Sequence, residues 1–233
     1  MPRLRPFLLV LPCAASAVLM TGCSLTSVGP ATKAERTYGV DGAVTALAAT
    51  TPGGNIEIVP VDAGGSVKVT EKYVYDQRKP APTHSFKDGR LTLTADDCED
   101  AEGRCEVGYK VLLPRGASVD LHTSGGDITV RGAAGGIAAE TSGGRITVED
   151  SAARTARVKT SGGDVDVALT AVPDEVSGRS SGGDVTIRLP KGSYAVDAST
   201  SGGSRKVSVP SDGSSAHTVE AETSGGDVSV VPS

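Results

Sequence analysis

Six times between residues 123 and 226 the chain sets a Thr or Ser, a Ser and two glycines in a row: Thr123–Gly126, Thr141–Gly144, Thr160–Gly163, Ser180–Gly183, Thr200–Gly203 and Thr223–Gly226. The starts are 18, 19, 20, 20 and 23 residues apart, and an earlier relative, Thr51-Pro52-Gly53-Gly54, precedes Asn55-Ile56-Glu57-Ile58. Self-similarity at such a period marks an architecture built by stacking one unit on the next. Alternation flanks every Gly-Gly. Ahead of it stand the pairs Val119/Leu121, Ile137/Ala139, Ala156/Val158, Val176/Gly178, Val196/Ala198 and Val219/Ala221. After it stand Ile128/Val130, Ile146/Val148, Val165/Val167, Val185/Ile187, Val207/Val209 and Val228/Val230. A period of two means strands with one buried face, and Gly-Gly between them is expected to give a corner with positive φ at little steric cost.

The stretch from the repeat's Thr or Ser to the second apolar residue after the corner is seven positions in five repeats and nine in the repeat carrying Ser204-Arg205-Lys206. The stretch leading to the next coil varies more. One invariant edge and one edge open to insertion is solenoid behaviour. Hairpins turning at each Gly-Gly are the competing topology, but Thr, Ser, Gly and Gly recurring in columns are what stacking like on like selects. The expected fold is therefore all-β: a single-stranded β-solenoid (β-helix) of about six coils, about 29 Å long at strand spacing. No Trp and only two Phe among 233 residues imply a thin core of Val, Ile and Ala. The last coil ends at Val230, so the reading leaves an open C-terminal edge strand guarded by Glu220, Glu222 and Pro232, through which self-association is expected.

The N-terminus reads as export machinery. Arg3 and Arg5 precede an apolar run, Phe7–Met20, of signal-sequence length. Leu19-Met20-Thr21-Gly22-Cys23 resembles the lipobox of bacterial lipoproteins, which implies removal of residues 1–22 and diacylglycerol on Cys23. More than one acyl chain is needed for stable anchoring. Residues 23–35 read as a flexible tether. Once the leader is gone, 21 basic residues face 28 acidic ones, and with no basic stripe the chain is not expected to bind nucleic acid. Cys98 and Cys105 remain as a pair; an oxidising compartment favours a disulfide between them, and neither has a second Cys or His at zinc spacing.

Residues 36–117 break the period and read as an N-terminal β cap, with 118–233 as the solenoid repeats. Gly42–Ile58 reads as a first coil or strand pair. Val67–Tyr75, Leu91–Thr94 and Val107–Leu113 read as strands, with turns at Lys87–Arg90 and Pro114–Gly116 and the last two strands joined as a hairpin through the Cys98–Cys105 loop. In this order, a Gly-Gly-Asn-Ile-Glu-Ile segment, a strand-rich insert, a Leu-Pro-Arg-Gly turn and then TSGGD(I/V)xV coils, residues 40–230 resemble the putative-adhesin family of bacterial surface proteins. That family is a β-solenoid domain of unknown function. The resemblance implies surface exposure and a role in adhesion or envelope-stress sensing, and it assigns no catalytic residue.

Motifs that could carry chemistry read more simply as structure. Gly178-Arg179-Ser180-Ser181-Gly182 fits a nucleophile elbow in letters, but it is the fourth repeat and no helix follows. His84, His122 and His217 are isolated and read as exposed. The acidic stretch Asp96–Glu106 has Ala101 where a calcium loop wants glycine or a ligand, and reads as a solvated hairpin tip. The Asp after Gly-Gly is expected to bond corner amides. The column Thr129, Thr147, Asp166, Thr186, Ser208 and Ser229 would form a hydroxyl-rich face able to dock a glycan or an ordered surface. No cofactor and no metal site is expected. The sequence thus leads to a non-catalytic, adhesin-like binding module held on the extracytoplasmic face of the cell membrane through Cys23, with an envelope protein or surface glycan as partner. An accessory protein that senses envelope stress or antimicrobial peptides is the alternative. A polysaccharide-active β-helix enzyme is a weaker third reading, because the columns supply few clustered acids and bases.

Overall fold

The computed structural model describes residues 30–62, 65–95 and 103–233. Met1–Gly22, Cys23 and Cys98 lie outside the described residues. Among the described residues seven strands precede the repeats: β1 (Thr32–Val40), β2 (Ala46–Thr51), β3 (Ile56–Val61), β4 (Val67–Tyr75), β5 (Thr83–Lys87), β6 (Arg90–Thr94) and β7 (Cys105–Pro114). The repeats supply β8 (Ser118–Thr123) and β9 (Ile128–Arg131), then β10 (Ile137–Thr141) and β11 (Ile146–Ser151), β12 (Thr155–Thr160) and β13 (Val165–Leu169). They continue with β14 (Glu175–Arg179) and β15 (Val185–Leu189), β16 (Ala195–Thr200) and β17 (Arg205–Val207), and β18 (Thr218–Thr223) and β19 (Val228–Pro232).

The strand before each Gly-Gly corner joins a nine-stranded sheet, and the strand after it joins a ten-stranded sheet. Corners therefore carry the chain from one sheet to the other rather than closing local hairpins. Equivalent residues stack in parallel register: Thr141 lies beside Thr123 and Thr160, and Ile146 beside Ile128 and Val165. The inward columns fill the space between the sheets with small aliphatics, among them Leu121, Ile137, Val158, Ile146 and Val167, all buried. The fold is thus an all-β, β-solenoid-like stack of two parallel-rich sheets.

Its spatial order departs from its chain order at both ends. The layers run β6/β7, β2/β3, β8/β9, β10/β11, β12/β13, β14/β15, β18/β19, β16/β17. The C-terminal strand is therefore no open edge: β19 pairs with β15 on one side and β17 on the other. The sequence of each repeat explains the exchange. The last repeat supplies four buried aliphatics, Val219, Ala221, Val228 and Val230. In the repeat before it, Arg205 pairs with Val228 and Val207 with Val230. This repeat keeps the ordinary seven-residue spacing, with Arg205 rather than Val207 in the first core column and Lys206 rather than Ser208 beside Ser229. A layer with an arginine in its core column belongs where one side meets water.

At the other end, β4 pairs antiparallel with β7 and β1 antiparallel with β4, while β5 pairs antiparallel with β6. The strands β6 and β7 lie in different sheets, so the expected hairpin through the Cys98–Cys105 loop is not formed; each instead extends one sheet beyond β2 and β3. The hairpin that does form joins β5 and β6 through Asp88 and Gly89, both at positive φ, the backbone a two-residue type I′ turn needs. Strand β1 begins at Thr32, inside the segment read as tether. Ahead of the first regular coil, Glu71 occupies an inward position of β4 between Val69 and Tyr73 and is fully buried. Tyr38 donates to its Oε1 at 3.0 Å, Tyr73 donates to Oε2, and Arg36 stands 4.0 Å away. Two hydroxyl donors and a nearby guanidinium are what make a buried carboxylate tolerable.

Candidate interaction surface

The corners use part of their polar groups to join the layers, while the serine after each Thr or Ser, such as Ser142 and Ser161, stands exposed. The Thr141 hydroxyl donates to the Gly126 carbonyl at 2.9 Å and accepts from the Gly144 N–H at 3.3 Å. The same clamp recurs at Thr123, Thr160, Ser180, Thr223 and Thr200. Ser180, the serine of the elbow-like motif, is thus a coil clamp, and a strand rather than a helix follows it. A second ladder runs outside the first. Asn55 Oδ1 accepts from the Asp127 N–H, Asp127 from Arg145, Asp164 from Asp184, Asp184 from Asp227 and Asp227 from Ser204, all within 2.7–3.0 Å. The acid after Gly-Gly therefore bonds the corner amide of the next layer, as its position in the repeat suggests.

The charged groups that remain available stand on the outer sheet faces. On the nine-stranded sheet, Lys159 reaches Glu140 at 3.1 Å, Arg157 reaches Glu175 at 2.6 Å, and Arg179 binds Glu220 while standing 3.6 Å from Glu222. The Arg179 guanidinium, helped by the Ser177 hydroxyl, holds the Glu220 carboxyl below the usual carboxylate range against the opposing effect of burial. On the ten-stranded sheet, Glu57 is bridged by Lys110 at 3.2 Å and Arg131 at 2.8 Å, and Arg131 reaches Glu149 at 3.1 Å. The hydroxyl column there reads Thr129, Thr147, Asp166, Thr186 and Ser229, closed by Lys206.

Hollows interrupt these faces among the described residues. One of about 350 Å³ lies over Gly108 on the ten-stranded sheet, among Lys72, Glu106, Glu57, Asp127 and Arg131. One of about 400 Å³ lies on the nine-stranded sheet beside Ser211 and Gly213, with Glu175, Asp197 and Glu220 in its wall. Another, about 230 Å³, has Ala138 in its lining and His122, Glu140, Arg157, Lys159 and Arg179 around it. No group of three or more His, Cys, Asp or Glu among the described residues could hold a metal ion. The histidines are engaged rather than simply exposed: His84 stacks on Tyr38 with centroids 4.5 Å apart, His122 lies 2.9 Å from Asp120, and His217 Nδ1 lies 2.7 Å from the Pro173 carbonyl. Of the expected disulfide pair, Cys105 opens β7 and Cys98 lies outside the described residues, as does most of the acidic loop. Arg104, at that loop's end, binds Asp76 at 2.9 Å.

A family model described as Toastrack DUF4097 matches residues 45–231. The chain belongs to this family. The Toastrack match begins after β1 and takes in both sheets and the inserted strands, which agrees with the resemblance read from the repeats. No curated protein matches the chain. Among solved structures, a putative cell adhesion protein from Clostridium sporogenes is 14% identical over 87% of this chain and 100% of its own, with a TM-score of 0.51. A putative adhesin from Bacteroides fragilis is 16% identical over 87% of this chain and 97% of its own, also with a TM-score of 0.51. At such identities the likeness is one of fold.

Proposed function

We propose that this Toastrack chain is a lipid-anchored, extracytoplasmic and non-catalytic binding module that engages an envelope protein or surface glycan through its outer sheet faces. The observation that carries this reading is the division of polar groups. The first hydroxyl of each corner and the acid after Gly-Gly hold layer to layer, whereas the corner serines and the charged and hydroxyl columns of the sheets stand outward in register. The proteins of the same fold named as adhesins support it. In this reading residues 1–22 are removed, Cys23 carries the lipid, and Cys98 and Cys105 form a disulfide that steadies the entry to β7.

The anchor is tested by labelling cells with palmitate. The full chain should take up label and partition with membranes, and Cys23→Ala should lose the label and most of the membrane fraction. The binding role is tested by retention on isolated envelopes. Saturable retention of the full chain is expected, lowered at least several-fold by Glu57→Gln with Arg131→Gln, which strip charge from the rim of the Gly108 hollow. Non-saturable retention equal to that of an unrelated acidic protein would remove the reading.

A further inference from the structure

The two ends of the stack treat their edges differently. At the tip, β17 is three residues long, Arg205 stands in its core column with Nε donating to the Ala198 carbonyl, and Ser211 bridges to Tyr194 beside β16. These are the devices that blunt an edge. At the other end, β1 is a nine-residue strand paired with β4 at every position without a bulge or proline. Among the described residues nothing pairs with its second edge. It lies ahead of the family-matched residues 45–231.

We infer that the free edge of β1 pairs antiparallel with β1 of a second copy of this chain, joining the two ten-stranded sheets across a two-fold axis. The occupant follows from the charges. Lys33, Glu35 and Asp41 make no ion pair among the described residues. In a same-face antiparallel pairing, a register centred on Lys33, Glu35 or Arg36 sets like charges against each other on the axis, and one centred on Tyr38 sets Glu35 against Asp41. A register centred on Ala34 sets Lys33 against Glu35 but engages only Thr32–Arg36; the register centred on Thr37 pairs Ala34–Val40 of each copy with the same residues of the other and carries the match on to Asp41, the residue after β1. It places each Lys33 opposite the other copy's Asp41 and each Arg36 opposite the other copy's Tyr38. Arg36 already lies 5.2 Å from the centre of its own Tyr38 ring, so the two-fold would build a ladder of alternating guanidinium and phenol on the inner face. Cross-strand pairs of opposite sign favour such a register and like pairs oppose it. An isologous interface of this kind closes on itself and leaves the far tip free.

The experiment uses the full chain in membranes and after detergent extraction. Thr37 faces outward beside Thr70, so Thr37→Cys is a near-isosteric change that brings two thiols together on the axis. Oxidation should yield a dimer band with Thr37→Cys that is absent from the parent chain and from Lys206→Cys at the tip. Sedimentation of the extracted parent chain should show a dimer. Lys33→Glu, which sets a carboxylate against Asp41 of the other copy twice over, should raise its dissociation constant about tenfold, and adding Asp41→Lys should restore it. A monomer at all concentrations overturns the proposal. So does a dimer that cross-links at residue 206 and not at 37, or one indifferent to charge reversal at residue 33. All three readouts are independent of the binding role proposed above.

Discussion

Within each corner the two glycines face different demands. A Cβ on the first would meet nothing within 4 Å at Gly125 and its nearest atom 3.7 Å away at Gly143, tightening to 3.3 Å at Gly225 and 3.1 Å at Gly202 towards the tip. A Cβ on the second would lie closer than 3.0 Å to the carbonyl of the second glycine in the adjacent layer, at Gly126, Gly144, Gly163, Gly183, Gly226 and Gly203 alike. Among these corners only Gly54 has a positive φ. The expectation that Gly-Gly serves left-handed backbone is therefore replaced by close approach: the second glycine lets one coil sit on the next while the Thr hydroxyl spans the junction. Ala at that place must push two layers apart and stretch the clamp. Gly144→Ala should cost about 3 kcal/mol or more, at the upper end of overpacking penalties. Gly143→Ala should stay within about 0.5 kcal/mol, as a surface change without strain does. Urea midpoints of the two variants beside the parent chain check this, and equal losses would show that both glycines answer to the same constraint.

At the scale of the strand, β1, β4 and β5 build a cap that buries one carboxylate, Glu71, beside Val69 and Tyr73, and the cap should fail first in alkali. The Tyr73 phenol is pushed up to about 12, by burial first and then by the Glu71 carboxylate to which it donates; Tyr38 is raised further for the same reasons. A raised phenol keeps in the folded state a proton that the unfolded chain gives up near its ordinary value of 10. Its contribution is thus fully present below pH 10 and is lost as pH rises through about 12. The melting temperature should fall steeply across that window. Tyr73→Phe should flatten part of the fall, while costing about 1–2 kcal/mol at neutral pH because Glu71 loses a donor. Identical slopes in the two proteins would separate Tyr73 from the effect. This cap is only half legible in the sequence. Val67–Tyr75 alternates openly and reads as a strand at sight, but the same alternation places Glu71 inward, and a glutamate in a core column is visible only once parity is followed past the aliphatics. The Asp88-Gly89 turn is readable as a turn. Its partner β5, Thr-His-Ser-Phe-Lys, carries too little apolar alternation to stand out, so the pattern joins β6 to the wrong strand.

At the scale of the whole molecule, the period of the repeats dictates what a layer is but not where each layer goes, because every repeat offers nearly the same corner to its neighbours. Placement is decided by small inequalities between repeats. The last one can be buried on both sides; the one before it, with Arg205 and Lys206, cannot. Sequence order is the natural guide to spatial order, and it fails where a connection steps over a layer, as Pro190–Tyr194 does between β15 and β16, leaving Ser208–His217 to turn back and fill the skipped place with β18/β19. This has a consequence that chain position alone would reverse. Strands near a terminus usually fray, yet β19 is held between β15 and β17 and its Val228 and Val230 are fully buried. Amide exchange should therefore be slower at Val228–Val230 than at Arg205–Val207, by the difference between global and local opening, on the order of a hundredfold or more for a gap of about 3 kcal/mol. Peptides from β17 should exchange early and those from β19 late. The opposite order would mean that the layers follow the chain, that β19 is the tip, and that the arginine in the core column of β17 lies inside the stack with no water to meet it.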